Sequence, residues 1–135
     1  IIDAGVITTY RADAVMVATA TGSTGYNLAV GGPILYPQAD LMVITPVAPH
    51  LGLASGLVVT GTSEVQFVLE SDLEATLSVD GYVNLPLNTG EGIHVTTSPL
   101  KARFLRVHPP SHFYHTLTRR LDFGGAVPRA TSMGP

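Results

Sequence analysis

Residues 11–33 have the sequence RADAVMVATATGSTGYNLAVGGP, and this stretch decides how the fold of the chain is interpreted. Its first part, DAVMVAT at residues 13–19, is a short apolar run typical of a buried strand. A loop of small residues, TATGSTG, follows the strand. A short helix is predicted over residues 23–30, and Gly31, Gly32 and Pro33 provide the stop signal that ends it.

The loop between this strand and this helix carries groups that can hold a ligand. Glycines let a backbone approach closely, and the amides at a helix start point outward as donors to anions or hydroxyls. Thr21, Ser23 and Thr24 add hydroxyl groups, and Tyr26 can stack on a base. The residues alone are explained equally well by a capped turn with Ser23 or Thr24 as the N-cap. No lysine follows as in a Walker A loop, and the G-x-G-x-x-G fingerprint is not met.

Two opposite charges stand at the start of the same strand. Asp13 can accept hydrogen bonds from ribose hydroxyls or from an adenine amino group, and Arg11 can approach a phosphate. We expect the carboxylate of Asp13 to lie beside the loop, so that both form one cradle for a dinucleotide.

The rest of the chain is typical of a mainly β protein. Glycines and prolines separate short apolar runs, which predict strands at residues 5–10, 41–45, 57–60, 64–69, 75–79, 82–87, 93–97 and 102–107. Asp80-Gly81 between two such runs predicts a hairpin. A second helix is predicted after Pro109 and Pro110, capped by Ser111, because apolar side chains recur at Phe113, Leu117 and Leu121. The predicted fold is a β-sandwich of many short strands with one or two short helices. One domain is expected over residues 1–123, followed by a flexible tail at 124–135.

Composition excludes several classes of protein. The 135 residues carry a net charge of -3 and a single lysine, Lys101, so a basic surface for nucleic acid is not expected. The chain has no cysteine, which excludes disulfides and fits a cytoplasmic protein. The uncharged run at residues 41–59 contains Pro46 and Pro49, so it predicts strands and turns, not a membrane span.

Two further clusters have weaker claims to a function. His108, His112 and His115 lie close in sequence and suggest a zinc site, although a polar helix face explains them better. Glu70, Asp72 and Glu74 are typical of a solvated turn more than of a catalytic pair. No metal ligand and no catalytic residue is therefore assigned in this chain.

The 11–33 stretch resembles the NAD kinase motif D-G-x-x-x-x-T-P-T-G-S-T-A-Y, which is followed in that family by G-G-P. The matching positions are Asp13, Thr19, Thr21, Gly22, Ser23, Thr24, Tyr26, Gly31, Gly32 and Pro33. ITPVAPH at residues 44–50, Asp80-Gly81 and the ending SHFYHTLTRRLDF also resemble family segments. The resemblance implies the C-terminal NAD-binding domain of an NAD kinase, with the fold typical of NAD kinases and diacylglycerol kinases.

The resemblance also implies a set of residues that bind NAD. They are Arg11, Asp13, Thr21, Gly22, Thr24, Gly25, Tyr26, Ala29, Asp80 and Tyr82. Arg11 is expected at the rim, within reach of a ligand on a neighbouring subunit. The chain departs from the family pattern at Ala14, Ala20, Gly25, Ala29 and Tyr82, where the family commonly has Gly, Pro, Ala, Ser and Gln. Tyr82 has no side-chain amide to make the polar contact that glutamine would make at this position.

The activity implied is that of the parent protein, which would phosphorylate the 2′-hydroxyl of the adenosine ribose in NAD to make NADP. ATP or polyphosphate would be the donor, with Mg²⁺ or another divalent cation. The family motif G-G-D-G-T and an Asn-Glu pair do not occur in this sequence, so we expect an N-terminal domain elsewhere in the parent and no activity from this chain alone. A homodimer or homotetramer is expected, without nucleic acid or membrane partners.

Two alternatives remain open from the sequence. A lipid kinase related to the diacylglycerol or sphingosine kinases shares the fold, but it commonly has D-G-E where this chain has Asp80, Gly81 and Tyr82. The second alternative is a non-catalytic β-sandwich used for oligomerisation.

Overall fold

The computed structural model of the chain describes residues 1–105 and 107–121. Contacts divide the chain into two compact units, Ile1–Pro99 and Leu100–Pro135, and each is described by itself. The first unit contains seven strands within its described residues, with a 3-10 turn and a one-turn helix after the first strand. The strands are β1 Ala14–Thr19, β2 Leu41–Val47, β3 Leu57–Thr60, β4 Val65–Val68, β5 Ala75–Val79, β6 Val83–Leu87 and β7 Gly92–Val95. The turn is Gly22–Thr24 and the helix is α1 Tyr26–Ala29.

A three-stranded antiparallel sheet has the order β1-β2-β3. In the pairing of β1 with β2, Ala14 lies opposite Val47 and Thr19 opposite Met42. The centre of β2, Met42 to Pro46, is buried residue by residue without alternation. Such a continuous apolar strand requires cover on both of its faces, which the next two layers provide.

The remaining strands form a long two-stranded ribbon. β4 pairs with β7, and β5 pairs with β6 nested between them, both antiparallel. Hydrogen bonds from the Leu69 N–H to the Glu91 carbonyl (3.0 Å) and from the Gly90 N–H to the Leu69 carbonyl (2.8 Å) join the two pairs. The ribbon therefore runs from Val65 and Val95 at its base to the Asp80-Gly81 turn at its tip.

The base of the ribbon packs on one face of the three-stranded sheet. Met42 and Ile44 of β2 form a buried cluster with Val65 of β4. Apolar side chains from both sheets and from the first residues of the chain surround it: Ile2, Val15, Val17, Val59, Phe67 and Val95. Two sheets that bury their facing side chains in this way form a sandwich. The predicted mainly β sandwich with short helices is confirmed.

The opposite face of β2 is covered by the segment that follows β1. Val43 is fully buried against Ala20 and Leu35, with Ala18 and Leu41 packed around them. Because side chains alternate along a strand, Val43 and Thr45 face this segment while Met42 and Ile44 face the ribbon. The 11–33 stretch is thus an integral layer of the fold.

Within the described part of the second unit, the regular element is α2, which spans His112–Leu121. Hydrogen bonds from the amides of His112 and Phe113 to the carbonyls of Pro109 and Pro110 precede it. Phe113, Leu117 and Leu121 are half-buried while His112 and His115 are exposed, so the predicted apolar stripe is confirmed.

Two strand predictions are wrong. The run at residues 5–10 forms no strand: Gly5 makes an isolated bridge to Ile2 across the turn at Asp3 and Ala4, and residues 6–10 are irregular. The described residues between 102 and 107 also form no strand, and Arg106 lies outside the described residues. In both runs β-branched or apolar residues lack a partner strand within the described chain, and propensity alone does not make a strand. The single domain at 1–123 stays a prediction, and the tail predicted at 124–135 lies outside the described residues.

No helix among residues 1–105 and 107–121 has the length and apolar character needed to cross a membrane.

Candidate functional site

The loop after β1 departs from the predicted geometry in one respect. The helix predicted over residues 23–30 is broken in two, because Gly25 has a φ of -92° and a ψ of -131°, which no helix contains. What remains is the 3-10 turn at Gly22–Thr24 and the single turn of α1. One turn has almost no macrodipole, so an anion bound here would be held by the loop amides and not by a helix dipole.

The inner side of the loop is fixed to the core by Ser23. This side chain is fully buried. Its hydroxyl donates to the Ala20 carbonyl (2.7 Å) and accepts from the Leu35 N–H (2.9 Å). The Ser23 hydroxyl is therefore used inside the protein, and the suggestion that it contacts a ligand is wrong.

A second buried polar residue, Asn27, joins the loop to β2. Its side-chain amide donates to the carbonyls of Ser23 (3.0 Å) and Pro33 (2.9 Å). Its amide oxygen accepts from the Thr45 hydroxyl (2.7 Å). Both side chains are buried: Asn27 is 0% exposed and Thr45 is 3% exposed. The two carbonyl acceptors fix which end of the amide carries nitrogen.

The outer side of the loop carries six predicted ligand-binding residues, and all six are exposed together. They are Thr21, Gly22, Thr24, Gly25, Tyr26 and Ala29. Tyr26 is 67% exposed although it is a large aromatic residue. The Ala29 N–H donates to the Gly25 carbonyl at 3.4 Å, which keeps these two residues close together. The sequence motif thus separates into an inner set that holds the fold and an outer set that is free to contact a ligand.

Asp13 stands at the start of β1, and the loop follows the end of the same strand. Asp13 immediately precedes β1, and its N–H donates to the Val47 carbonyl (3.0 Å). The loop begins beyond Thr19 at the other end of the same strand. Six residues of extended chain separate Asp13 from Thr19, which corresponds to about 20 Å. The chain then folds back over β1, because Asn27 bonds to Thr45, which lies opposite Met16 in the middle of that strand. The cradle formed by Asp13 and the loop therefore stays a prediction.

Arg11 accompanies Asp13 at this distant end. The Arg11 N–H donates to the Leu51 carbonyl (3.0 Å), and its carbonyl accepts from the His50 N–H (2.6 Å). The side chains of Arg11, Asp13 and His50 are all exposed. These residues form a second polar region, which we call the β1-start region.

Asp80 and Tyr82 occupy a third place, the tip of the ribbon. Asp80 and Gly81 have φ values of 50° and 74°, as a tight hairpin turn requires, and the Tyr82 N–H donates to the Val79 carbonyl (3.1 Å). The predicted hairpin is confirmed, although Val79 pairs with Val83, so Tyr82 belongs to the turn. Tyr82 is 92% exposed and therefore does not pack on the loop after β1.

The weaker clusters do not gather into a site. Among residues 1–105 and 107–121, no three His, Cys, Asp or Glu side chains come close enough to hold a metal ion. The rings of His108 and His112 stack with centroids 4.2 Å apart. No chemical step is therefore derived through a metal ion held by these residues.

Sequence reasoning missed the roles of Asn27 and Thr45. Asn27 lies four residues after Ser23 and faces the same way, and Thr45 interrupts the otherwise apolar run LMVI of β2. A polar residue at a position where the pattern demands burial is the available signal, because such a residue needs a partner.

Comparisons with known proteins show the family of the chain. The family model of the ATP-NAD kinase C-terminal domain matches residues 1–107. The NAD kinase of Dehalococcoides mccartyi strain CBDB1 is 42% identical over 114 residues, which are 84% of this chain and 40% of that protein. The NAD kinase of Chloroflexus aurantiacus strain J-10-fl is 43% identical over 120 residues, 89% of this chain and 44% of that protein. The chain thus spans about two fifths of the length of these relatives.

Two solved structures have the same fold. Yeast NADH kinase, complexed with NADH, superposes with a TM-score of 0.74 at 24% identity, over 97% of this chain and 41% of that one. An NAD kinase from Archaeoglobus fulgidus in complex with ATP superposes with a TM-score of 0.70 at 25% identity, over 82% of this chain and 42% of that one.

Proposed function

Since the chain belongs to the ATP-NAD kinase C-terminal domain family, we propose that it is the NAD-binding domain of an NAD kinase. The observation that carries the proposal is the separation within the motif: Ser23 and Asn27 hold the loop from inside, while six predicted binding residues face outward. An exposed Tyr26 beside two glycines offers a base a stacking surface that backbone amides can approach. The loop would take the adenosine and diphosphate part of NAD.

The parent enzyme would convert NAD to NADP. The 2′-hydroxyl oxygen of the adenosine ribose would form a bond to the terminal phosphorus of ATP or polyphosphate, and the bond to the bridging oxygen would break. A base outside this chain would accept the hydroxyl proton, since this chain carries no assigned catalytic residue. Mg²⁺ or another divalent cation would neutralise the phosphates of the donor. The role of this chain is to bind and orient the acceptor, in a cytoplasmic enzyme.

The β1-start region is proposed to serve a ligand bound by a neighbouring subunit. Arg11 and Asp13 lie at the opposite end of β1 from the start of the loop, about 20 Å along the strand from Thr19. An exposed carboxylate and guanidinium remain at that end, and nothing in the packing of β1 requires them. A homodimer or homotetramer that brings this region to another copy's loop would complete the binding site.

An exposed apolar face of the ribbon supports this assembly. Cross-strand pairs on one face of β5 and β6 are all aliphatic: Ala75 with Leu87, Leu77 with Leu85, and Val79 with Val83. Val79, Val83 and Leu85 are 48%, 48% and 51% exposed. The other face carries Ser78 opposite Asn84. A two-stranded ribbon with one aliphatic face is poorly stable unless that face is covered.

Calorimetric titration tests the proposed ligand. NAD added to the 135-residue chain should bind, and Tyr26→Ala should weaken binding about fivefold or more if a base stacks on the ring. Tyr114→Ala in α2 is the matched control, since Tyr114 is also an exposed tyrosine (58%). Equal effects of the two substitutions, or tighter binding of a diacylglycerol or sphingoid base than of NAD, would refute the assignment and favour the lipid kinase alternative.

Light scattering tests the assembly. Leu85→Asp places a charge on the aliphatic face and should reduce the molar mass in solution, whereas Asn84→Asp on the opposite face should leave it unchanged. A molar mass that responds equally to both, or to neither, contradicts assembly through this face.

A further inference from the structure

The hydrogen bond between Thr45 and Asn27 links the candidate binding loop to the strand that forms the core of the fold. Thr45 lies on β2, and Asn27 lies in α1 directly after the loop. The Asn27 side chain simultaneously contacts the carbonyls of Ser23 and Pro33. One side-chain amide therefore connects the loop, α1, the segment after α1 and the central strand.

The space for this amide is created by residues around it. A Cβ atom at Gly32 would lie 2.1 Å from the Asn27 amide oxygen, so only glycine fits there. A Cβ atom at Gly56 would lie 3.2 Å from the Thr45 hydroxyl oxygen, which is also a close contact. The hydroxyl and the amide are thus enclosed by backbone and excluded from water, where a hydrogen bond is strongest.

The loop itself has few other ties to the core. The Gly22 N–H reaches the Thr19 hydroxyl at 3.4 Å, the Thr24 hydroxyl reaches the Thr21 carbonyl at 3.3 Å, and both bonds are local and exposed. Among the described hydrogen bonds, those that join this segment to more distant parts of the chain are made by the side chains of Ser23 and Asn27.

We propose that Thr45 and Asn27 are positioning residues, which hold the 21–25 loop in its ligand-competent shape without touching the ligand. The proposal rests on the assignment of that loop as the NAD-binding surface. When a binding-competent shape is only partly populated, the apparent affinity falls by the same fraction. Loss of the Thr45 hydroxyl therefore weakens NAD binding because a smaller fraction of molecules has the loop in its binding-competent shape. The contacts between the loop and the bound ligand stay the same.

The test uses the 135-residue chain and four proteins: the wild type, Thr45→Val, Thr45→Ser and Ser63→Ala. Thr45→Val keeps the shape of the side chain and removes the hydroxyl, and Thr45→Ser restores the hydroxyl. Ser63 is the matched control, because it is 7% exposed and its hydroxyl also joins two chain segments, bonding to Asp3 at 3.1 Å and Thr60 at 3.0 Å. It lies outside the proposed binding surface.

Amide hydrogen exchange measures how readily the loop opens, and calorimetry measures the affinity for NAD. Thr45→Val should accelerate exchange at the Gly25 N–H, which donates to the Gly22 carbonyl, and raise the Kd for NAD, each about fivefold to tenfold. Thr45→Ser should return both close to the wild-type values. Ser63→Ala should change neither by more than its effect on global unfolding. If Thr45→Val and Ser63→Ala alter exchange at Gly25 equally, positioning is refuted.

A measurement on the wild type covers the case in which Thr45→Val fails to fold. Both side-chain amide protons of Asn27 are donated in a buried site, so they should exchange about a hundredfold more slowly than those of the exposed Asn84. Unprotected Asn27 protons overturn the proposal. If the wild type binds no NAD, the proposed function fails for this chain, while the exchange data still decide whether the two residues position the loop.

Discussion

Replacing Gly32 by alanine gives the sharpest test of the packing around the loop. The added Cβ would lie 2.1 Å from Oδ1, 2.5 Å from Cγ and 2.7 Å from Nδ2 of Asn27. Unstrained carbon–oxygen contacts are well over 3 Å, so the amide must move by about an ångström or more. The three hydrogen bonds that Asn27 makes to Ser23, Pro33 and Thr45 cannot survive such a displacement.

The cost follows from those three bonds. Each buried hydrogen bond contributes about 1 kcal/mol to stability, so Gly32→Ala should lower the free energy of unfolding by about 3 kcal/mol. Gly31→Ala is the control next to it, because nothing lies within 4 Å of its added Cβ. Gly31 has a φ of 84°, so alanine there costs only the left-handed backbone penalty of about 1–2 kcal/mol.

Urea unfolding followed by circular dichroism measures these values, and a double-mutant cycle isolates the cause. In an Asn27→Ala background the obstacle is gone, so adding Gly32→Ala should cost less than about 0.5 kcal/mol and give a coupling of about 3 kcal/mol. The reasoning is refuted if Gly32→Ala costs the same in both backgrounds, because the loss would then not arise from the Asn27 amide.

Further predictions concern the core, the hairpin tip and the loss of stability at low pH. Val43→Ala, at a fully buried site, should lower the free energy of unfolding by about 2–3 kcal/mol in the same urea assay. Gly81→Ala should cost about 1 kcal/mol, since its φ of 74° is left-handed while the added Cβ meets nothing within 4 Å. The backbone N–H and then the side-chain amide of Asn88 lower the pKa of Glu91, so this carboxylate stabilises the fold above its unfolded pKa, and the contribution is lost as pH falls through the folded pKa. Glu91→Gln should therefore flatten the acid decline of Tm relative to the wild type.

Local patterns predicted most of the strands because each strand here is short and bounded by turn residues. The runs at 57–60 and 75–79 match β3 and β5 residue for residue, and the other confirmed strands differ by one or two residues at their ends. Asp80-Gly81 specified its hairpin because both residues accept a positive φ. The run at 5–10 has equal β propensity and failed, because strand formation depends on a partner that a local pattern does not supply.

The sequence predicted which residues of the candidate site are exposed, but it did not predict how they are arranged in space. Small and hydroxyl-bearing residues at 21–26 indicated a loop, and the outer members of the motif are exposed as expected. The strand β1, which pairs with β2 from Ala14 to Thr19, separates Asp13 from the start of this loop. Proximity in sequence suggested one cradle. β1 carries the chain about 20 Å from Asp13 to Thr19, and the chain then folds back so that Asn27 meets Thr45 opposite Met16.

The two faces of β2 explain how a small domain keeps such a loop ordered. Met42 and Ile44 bury against the ribbon on one side, while Val43 and Thr45 meet the loop segment on the other. Apolar contact through Val43 stabilises the layer but has no direction, so by itself it does not fix the loop's shape. Directionality comes from Thr45, whose hydroxyl meets the Asn27 amide in a dry enclosure. Changes at Val43 should therefore reduce stability, and changes at Thr45 should alter the shape of the loop, although the two residues are neighbours on the same face of one strand.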